Sequence, residues 1–297
     1  MNTMSLAELK ALCKERGLSG YSNKNKAALL ELLGPAPAPA PAPAPAELEP
    51  ETVANVIIEA PVSVLHNGDC LVVMKTIANE SVDMILVDLP YGMTKNSWDV
   101  VIPFDKMWAE YNRIIKPNGA IVLFANNPFG ARLIVSNLER YRYSLIWEKN
   151  KFSDFLNAKR KPMKIHEDIH VFYKSQPTYN PQKTKGEPYE RWNTQKAVDS
   201  QTNYNGHKEN HVINTEGTRL PTTVLRFKRI ERPDHPTQKP VDLLEWLIKT
   251  YTNEGELVLD SCMGAGSTGV ACKNTGRRFI GIELDKAYYE ISRARCA

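Results

Sequence analysis

The sequence lacks the features that mark several large classes of proteins. It has no apolar run long enough to span a bilayer and no secretory signal at its start, so we expect an intracellular protein that does not cross a membrane. Its five cysteines are odd in number and scattered, and they form no Cys-x-x-Cys pair. A disulfide framework and a metal site are therefore not expected.

Positive charge is concentrated in the middle of the chain. Residues 140–232 contain 19 Lys and Arg against 10 Asp and Glu, a net charge of +9, whereas the whole chain carries +4 and the remainder therefore −5. The basic residues there are interleaved with aromatic ones, a composition that suits phosphates and stacked bases. The asymmetry predicts a polyanionic partner, with a merely solvated surface as the alternative.

The first 60 residues have the pattern of a small module followed by a spacer. Apolar spacing and a Ser5–Glu8 capping box predict one helix that ends at Gly17, and a second helix is predicted over 25–33. Six Pro-Ala repeats at 35–46 predict a stiff polyproline II spacer of about 37 Å. The predicted domains are a helical module at 1–34, a linker at 35–60 and a main domain at 61–297, with a basic insert at about 150–232.

The main domain alternates between strand and helix patterns. Strands are predicted at 63–66, 84–88, 120–124, 143–147, 166–173, 257–260 and 279–283, helices at 71–77, 104–115, 133–138 and 241–251, and a turn at 117–119. Such alternation is typical of the α/β class. We therefore predict a doubly wound, mostly parallel, Rossmann-like sheet.

The stretch Asp88-Leu89-Pro90-Tyr91 follows a buried strand, at the edge where open α/β sheets bind ligands. The Asp88 carboxylate and the Leu89 carbonyl can accept hydrogen bonds from a base amine and oppose the positive charge that develops as it attacks a methyl group. Pro90 has no competing N–H, and Tyr91 can stack on a base that has left the duplex. Alone, the stretch is also compatible with an ordinary strand-end turn.

A glycine-rich turn near the C-terminus is the second candidate site. Gly264-x-Gly266-x-x-Gly269 lets a ligand approach the backbone, and Glu283 ends the next strand, where a carboxylate can bind ribose hydroxyls. The spacing also matches the dinucleotide fingerprint, so a nicotinamide or flavin cofactor is an alternative. Only about 30 residues follow the turn, too few for the rest of a dinucleotide-binding sheet. Asp69, after the first strand, can contact a nucleobase or ribose, or can merely stabilise its turn.

Together these motifs resemble the β group of DNA amino-methyltransferases over about 62–297. Asp88–Tyr91 resembles their catalytic Asp-Pro-Pro-Tyr, and residues 260–269 resemble Asp-Pro-Phe-x-Gly-Ser-Gly-Thr-Thr, their S-adenosylmethionine loop. His235–Pro240 resembles a motif on the cofactor side, and Glu283 the acid that binds ribose. The order, with the catalytic motif first and the cofactor loop last, is that of the β group.

The resemblance implies roles for individual residues and no metal. The implied catalytic residues are Asp88, Leu89, Pro90 and Tyr91. The implied S-adenosylmethionine-binding residues are Asp69, Cys70, Asp88, His235, Thr237, Gln238, Lys239, Asp260, Met263, Gly264, Gly266, Ser267, Thr268, Glu283 and Leu284. The residues expected to contact double-stranded DNA are Tyr91, Trp98, Lys151, Lys159, Arg160, Lys161, Lys24 and Lys26.

Residues 5–33 separately resemble the SAP family of small helical DNA-binding modules. The resemblance rests on a Leu-x-x-Leu pattern, on Gly17-Leu18 and on Lys24-x-Lys26-x-x-Leu29-Leu30. A helical hairpin that contacts proteins is the alternative. The β-group resemblance also implies a homodimer and a cognate restriction endonuclease as further partners to test.

The chain departs from the β-group pattern at named positions. Leu89 replaces the first proline, Ser261 and Cys262 replace Pro and Phe, and Ala265 replaces Ser. Asp rather than Ser at position 88 favours adenine N6 over cytosine N4 as the target. No cysteine follows a proline, so the Pro-Cys nucleophile of cytosine-5 methylation is missing. The alternatives are cytosine-N4 or RNA methylation, and an inactive DNA-binding relative.

Overall fold

The computed structural model describes residues 5–15, 19–33, 63–93, 96, 99–193, 210–231 and 238–297. The chain divides into two compact units, Met1–Ile57 and Ile58–Ala297. Within the described residues, no helix has the length and apolar character needed to cross a membrane. The same residues contain no group of three or more His, Cys, Asp and Glu side chains arranged to hold a metal.

The N-terminal unit is a pair of short helices, α1 (Leu6–Glu15) and α2 (Lys26–Leu33). Leu9, Cys13 and Leu29 are fully buried between them. The Asn25 side chain accepts a hydrogen bond from the Ala28 N–H at 3.0 Å, which caps α2. The two predicted helices are confirmed, whereas Gly17, Leu18 and the Pro-Ala run lie outside the described residues.

The second unit is an α/β domain. Its strands are β1 (Ser63–Asn67), β2 (Val82–Asp88), β3 (Ile115–Ala125), β4 (Tyr141–Ser153), β5 (Lys164–Phe172), β6 (Thr184–Lys185), β7 (Tyr189–Asn193), β8 (Asn210–Asn214), β9 (Thr218–Arg219), β10 (Val224–Arg226), β11 (Leu257–Asp260) and β12 (Arg278–Glu283). Its helices are α3 (Cys70–Val73), α4 (Phe104–Ile114), α5 (Phe129–Ser136), α6 (Val241–Tyr251), α7 (Ser267–Asn274) and α8 (Lys286–Cys296). Short 3-10 turns occupy Met74–Thr76 and Phe155–Asn157.

The central sheet has eight strands in the order β1-β12-β11-β2-β3-β5-β4-β10. Strand β2 is buried on both faces, because Ile85 and Val87 face a layer containing α4 and α5, whereas Met84 and Leu86 face α6 and α7. A strand covered by helices on both sides needs a continuous apolar run rather than an alternating one. The predicted doubly wound, mostly parallel sheet is confirmed.

Strand direction determines which residues meet at the edge of the sheet. All neighbouring strands are parallel except that β5 runs antiparallel to β3 and β4 on either side of it. The amino end of β5 therefore lies at the same edge as the carboxyl ends of β2, β11 and β12. Glu167, near the start of β5, is paired with Trp147 of β4 and so belongs to this edge.

Two local features differ from the sequence predictions. The turn predicted at 117–119 lies within β3, where Val82 pairs with Ile115 but Met84 pairs with Ala120, so the intervening residues of β3 bulge outward. Strand β10, which falls within the predicted basic insert, is an edge strand of the central sheet beside β4. The described residues of the insert also include β5 of the central sheet and two small antiparallel ribbons, β6 with β9 and β7 with β8.

Candidate active site

A cavity of about 330 Å³ opens at the carboxyl edge of the central sheet. A volume of that order is typical of small-molecule sites. Most of the predicted site residues line it: Asp69, Cys70, Asp88, Leu89, Pro90, Tyr91, Gln238, Lys239, Asp260, Met263, Gly264, Ser267, Thr268, Glu283 and Leu284. The fold therefore brings the catalytic motif and the glycine-rich turn to one cavity.

Asp88 is the last residue of β2 and the first polar one after its buried run. The Tyr91 hydroxyl donates a hydrogen bond to Asp88 Oδ1 at 2.7 Å, and the Tyr91 ring packs against Phe129 with ring centroids 5.0 Å apart. Leu89 is buried, and Pro90 and Tyr91 are half-buried. Burial raises the pKa of Asp88 above the usual carboxyl range, against the opposing effect of Lys239.

Lys239 is buried beside Asp88, although the two lie 151 residues apart in the sequence. Its ammonium donates to Asp88 Oδ2 and lies 3.4 Å from Glu167 Oε2. Burial alone would lower the pKa of Lys239, but the two carboxylates raise it above its ordinary value. The structure therefore places Lys239, which the sequence assigns to the cofactor, in direct contact with the Asp88 carboxylate, the predicted catalytic group.

Glu167 extends this charge cluster to β4. Its Oε1 accepts a hydrogen bond from Lys149, and the residue is 9% exposed. Burial alone would raise the pKa of Glu167, but Lys239 and Lys149 together hold it at about 2. The sequence analysis did not single out Glu167 or Lys149 for the site. Glu167 reaches this edge because β5 runs antiparallel to its neighbours, and Lys149 reaches it near the carboxyl end of β4.

Asp260 shapes the glycine-rich turn from inside. Its Oδ1 accepts from the Cys262 N–H at 3.0 Å, and its Oδ2 accepts from the Thr268 hydroxyl at 2.6 Å. Burial raises the pKa of Asp260 to about 7, against the effect of the Thr268 hydrogen bond. This carboxyl group therefore joins the end of β11 to the first turn of α7.

Glu283 closes the opposite side of the turn. Its Oε2 accepts from the Gly264 N–H at 2.9 Å, and its Oε1 accepts from the Asp285 N–H at 2.8 Å. Burial raises the pKa of Glu283. Each carboxylate oxygen can accept a further hydrogen bond, so Glu283 retains capacity for a diol at the cavity wall.

Gly266 does not line the cavity, in contrast to its predicted place among the cofactor-binding residues. It has a φ of 76°, and a Cβ there would approach Ser292 of α8 within 2.8 Å. Gly266 is therefore required for the left-handed start of α7 and its close packing on α8. Asp69 lines the cavity and also caps α3, because its side chain accepts from the Leu71 N–H at 2.7 Å.

The loop after Tyr91, whose polar sequence predicts an active-site loop, contributes residues that were not individually predicted for the site. Asp99 is buried and accepts hydrogen bonds from the Gly92 N–H at 2.8 Å and the Met93 N–H at 2.9 Å. It thereby fixes the backbone next to the catalytic motif. Further missed members of the lining are the apolar stretch Val100–Pro103 and Tyr288 of α8. The sequence could have indicated the apolar stretch, because it directly follows the polar residues of the loop after Tyr91.

The remaining predicted contact residues lie away from the cavity or outside the described residues. Lys151 is exposed near the end of β4, and Lys159, Arg160 and Lys161 are exposed between β4 and β5. Lys151 pairs with Glu231 at 2.9 Å, and Lys161 pairs with Asp154 at 2.5 Å. Lys24 and Lys26 belong to the N-terminal unit. Trp98, His235 and Thr237 lie outside the described residues.

Comparison with known proteins adds an independent line of evidence. A model of a family described as DNA methylase matches residues 82–294. The Type II methyltransferase M.HpaI of Haemophilus parainfluenzae is 28% identical over 239 residues, covering 75% of this chain and 70% of that protein. The DNA adenine methyltransferase YhdJ of Escherichia coli K12 is 28% identical over 250 residues, covering 78% and 82%.

Solved structures share the fold of this chain. The structure of the M1.HpyAVI–SAM complex superimposes with a TM-score of 0.55 and 26% identity, covering 79% of this chain and all of that one, 100%. The PvuII DNA methyltransferase, described as cytosine-N4-specific, gives a TM-score of 0.59 at 16% identity, covering 80% and 89%. At that identity the second likeness concerns the fold alone.

Proposed function

Because the chain belongs to the DNA methylase family, we propose that it transfers a methyl group from S-adenosylmethionine to the N6 amine of an adenine flipped out of double-stranded DNA. One observation carries the proposal. Asp88, Gly264 and Glu283, which are distant in sequence, line one cavity at the carboxyl edge of the sheet. A carboxylate for the base amine and a carboxylate for the methyl donor are thus combined in a single site.

The residues of the cavity fit S-adenosylmethionine. Glu283 is suited to the ribose hydroxyls, because both of its oxygens retain acceptor capacity. Ile102, Met263 and Leu284 supply apolar walls for an adenine ring. The bound cofactor would supply an electrophilic methyl group on a sulfonium centre.

In the proposed mechanism, Asp88 and the Leu89 carbonyl accept hydrogen bonds from the target amine and orient its lone pair. The negative charge of Asp88 opposes the positive charge that develops on the amine nitrogen. The Tyr91 hydroxyl fixes the Asp88 carboxylate, and its ring offers a surface for the flipped base. Orientation at near-attack distance supplies much of the acceleration, and the transfer needs no covalent enzyme intermediate.

Adenine is proposed over cytosine because position 88 is Asp and because a relative covering most of the chain is named a DNA adenine methyltransferase. Expression in a methylation-free host, followed by sequencing of the methylated DNA, tests base and site together. N6-methyladenine at one recurrent sequence is the expected product. N4-methylcytosine would assign the alternative target, and unmodified DNA would contradict the proposal.

The basic residues after β4 are proposed to contact the DNA backbone. We expect the association constant for duplex DNA to fall steeply with salt, with a log–log slope of about −0.9 per neutralised phosphate. Lys159→Ala combined with Arg160→Ala should reduce that slope by about two. Fluorescence anisotropy at several salt concentrations measures it. Lys249→Ala with Lys273→Ala, on α6 and α7, is the charge-matched control, and an equal loss there would remove the specific assignment.

The turn Phe155–Asn157 presents an apolar tip at the same edge of the sheet. Phe155 is 68% exposed and Leu156 84% exposed. Two contacts of Asp154 stabilise the turn: its carboxylate accepts a hydrogen bond from the Asn157 side chain at 2.6 Å and pairs with Lys161. An ordered apolar tip beside cations suits insertion into a base stack, at the position vacated by the flipped base.

Replacing both tip residues, Phe155→Ala with Leu156→Ala, should therefore impair base flipping. We expect the rate of methylation of a normal duplex to fall about tenfold, because the stack refills the vacated position. A duplex with an abasic site opposite the target should restore the rate, since the base is already unpaired. Val135→Ala, an exposed apolar residue on α5, is the control. Equal losses on both duplexes would contradict insertion.

The N-terminal module is proposed to bind DNA in the manner of SAP domains. Deleting residues 1–46 should raise the dissociation constant for duplex DNA while leaving the single-turnover rate at saturating DNA unchanged. Anisotropy and rapid-quench assays measure the two quantities separately. Unchanged affinity would count against a DNA role for the module and favour the protein-contact alternative.

The further predicted partners are proposals of the same kind. A homodimer is tested by light scattering of the purified protein. A cognate restriction endonuclease is tested by asking whether the methylated sequence, once identified, is protected from cleavage by an enzyme encoded beside it. Action on cellular DNA would place the protein inside the cell.

A further inference from the structure

The Lys239 ammonium lies between two carboxylates, those of Asp88 and Glu167. Lys239 donates to Asp88 Oδ2 but lies 3.4 Å from Glu167 Oε2, longer than a good hydrogen bond. Glu167 Oε2 is buried and accepts no hydrogen bond from the residues that the structure describes. A buried carboxylate oxygen without a hydrogen-bond donor is costly, so the ammonium group of Lys239 beside it is a candidate donor.

The present arrangement works against methyl transfer. A cation on Asp88 Oδ2 withdraws negative potential from the carboxylate that has to oppose positive charge on the amine nitrogen. The Asp88 Oδ1 atom is already bonded to the Tyr91 hydroxyl. The Asp88 carboxylate therefore becomes a stronger acceptor for the amine if Lys239 moves away from it. Lys239 still needs another carboxylate as its partner.

Resting on the proposed function, we propose that Glu167 is a positioning residue for methyl transfer, providing a second carboxylate oxygen onto which Lys239 moves as the amine approaches Asp88. A shift of the ammonium by under about 1 Å makes a normal hydrogen bond to Glu167 Oε2. Lys149 holds the other oxygen of Glu167, so the carboxylate stays charged and in place. Lys239 thus keeps a charged partner in both arrangements.

Glu167→Gln tests this role in the full-length protein. The single-turnover rate of methylation should fall about 10- to 100-fold, because the neutral carboxamide of glutamine no longer attracts the Lys239 ammonium away from Asp88. The dissociation constant for S-adenosylmethionine should stay within about twofold, since Glu167 does not line the cavity. Removing the Glu167 charge should also shift the acid limb of the rate profile to lower pH. Asp83→Asn, which breaks a pair with Lys116 at the far end of β2, is the control and should keep its rate.

Two further variants test the role of Glu167 even if Glu167→Gln folds poorly. Lys149→Gln with Glu167→Gln leaves no unpaired charge and should show the same slow transfer. In a crystal structure of Asp88→Asn, Lys239 should lie within about 3 Å of Glu167 Oε2. A wild-type rate in the double variant, or a Lys239 that still points to position 88, would overturn the proposal. If the wild-type protein methylates no DNA, the proposed function is contradicted. The crystal structure of Asp88→Asn would still show whether Lys239 can move onto Glu167 Oε2.

Discussion

Asp88→Asn is expected to reduce the methylation rate by about 10²- to 10³-fold, the usual loss when one preorganised electrostatic group is removed. Asparagine keeps the shape of the side chain but loses the charge that opposes the developing positive charge on the amine. It also offers one acceptor oxygen where Asp88 offers two. Rapid-quench assays with radiolabelled S-adenosylmethionine and duplex DNA measure the rate.

Cofactor affinity distinguishes this loss from a general disturbance of the cavity. The dissociation constant of S-adenosylmethionine for Asp88→Asn should remain within about threefold of the wild-type value, because Glu283 and Gly264 are untouched. Isothermal titration calorimetry measures it. Asp83→Asn, on the same strand but at its other end, should transfer at the normal rate once folded. A fully active Asp88→Asn would remove Asp88 from the mechanism.

Lys239→Met is expected to lower the free energy of unfolding by about 3–5 kcal/mol, the usual cost of removing one partner from a buried ion pair. Lys239 is 7% exposed, and both Asp88 and Glu167 would be left without its charge. Urea denaturation followed by circular dichroism measures the difference. Methionine occupies similar volume, so lost packing contributes little.

The pH dependence of this variant follows from Glu167. Its pKa is about 2 in the fold against an ordinary value of 4.5, so the stabilisation from its lysines is complete above pH 4.5 and is lost as the pH falls toward 2. The deficit of Lys239→Met should therefore be largest near neutral pH and shrink in acid. Lys151→Met, which breaks an exposed pair with Glu231, should change the free energy of unfolding far less. Equal losses in the two variants would contradict the buried network.

The sequence could predict the residues that follow the parallel strands. Asp88, Asp260 and Glu283 each come directly at the end of an apolar run, and parallel strands align such ends at one edge. The glycine-rich turn was predictable for the same reason. The continuous apolar character of β2 also predicted a sheet covered on both faces.

The sequence could not predict the residues that depend on an antiparallel strand or on distant contacts. Glu167 lies at the start of its strand and reaches the site only because β5 runs against its neighbours. Lys239 was predicted to contact the cofactor, but a pairing across 151 residues with Asp88 is a property of the folded chain. Tyr91 was predicted to stack on a base. The hydrogen bond from its hydroxyl to Asp88 could not be predicted from the sequence and is seen only in the folded chain.

A crystal structure with S-adenosylhomocysteine, the demethylated product of the donor, tests the central claim most directly. The ribose hydroxyls should lie on Glu283, with the sulfur within about 7 Å of the Asp88 carboxylate, the span of two contacts of about 3–3.5 Å each. A ligand bound outside the cavity, or one whose sulfur points away from Asp88, would contradict the account.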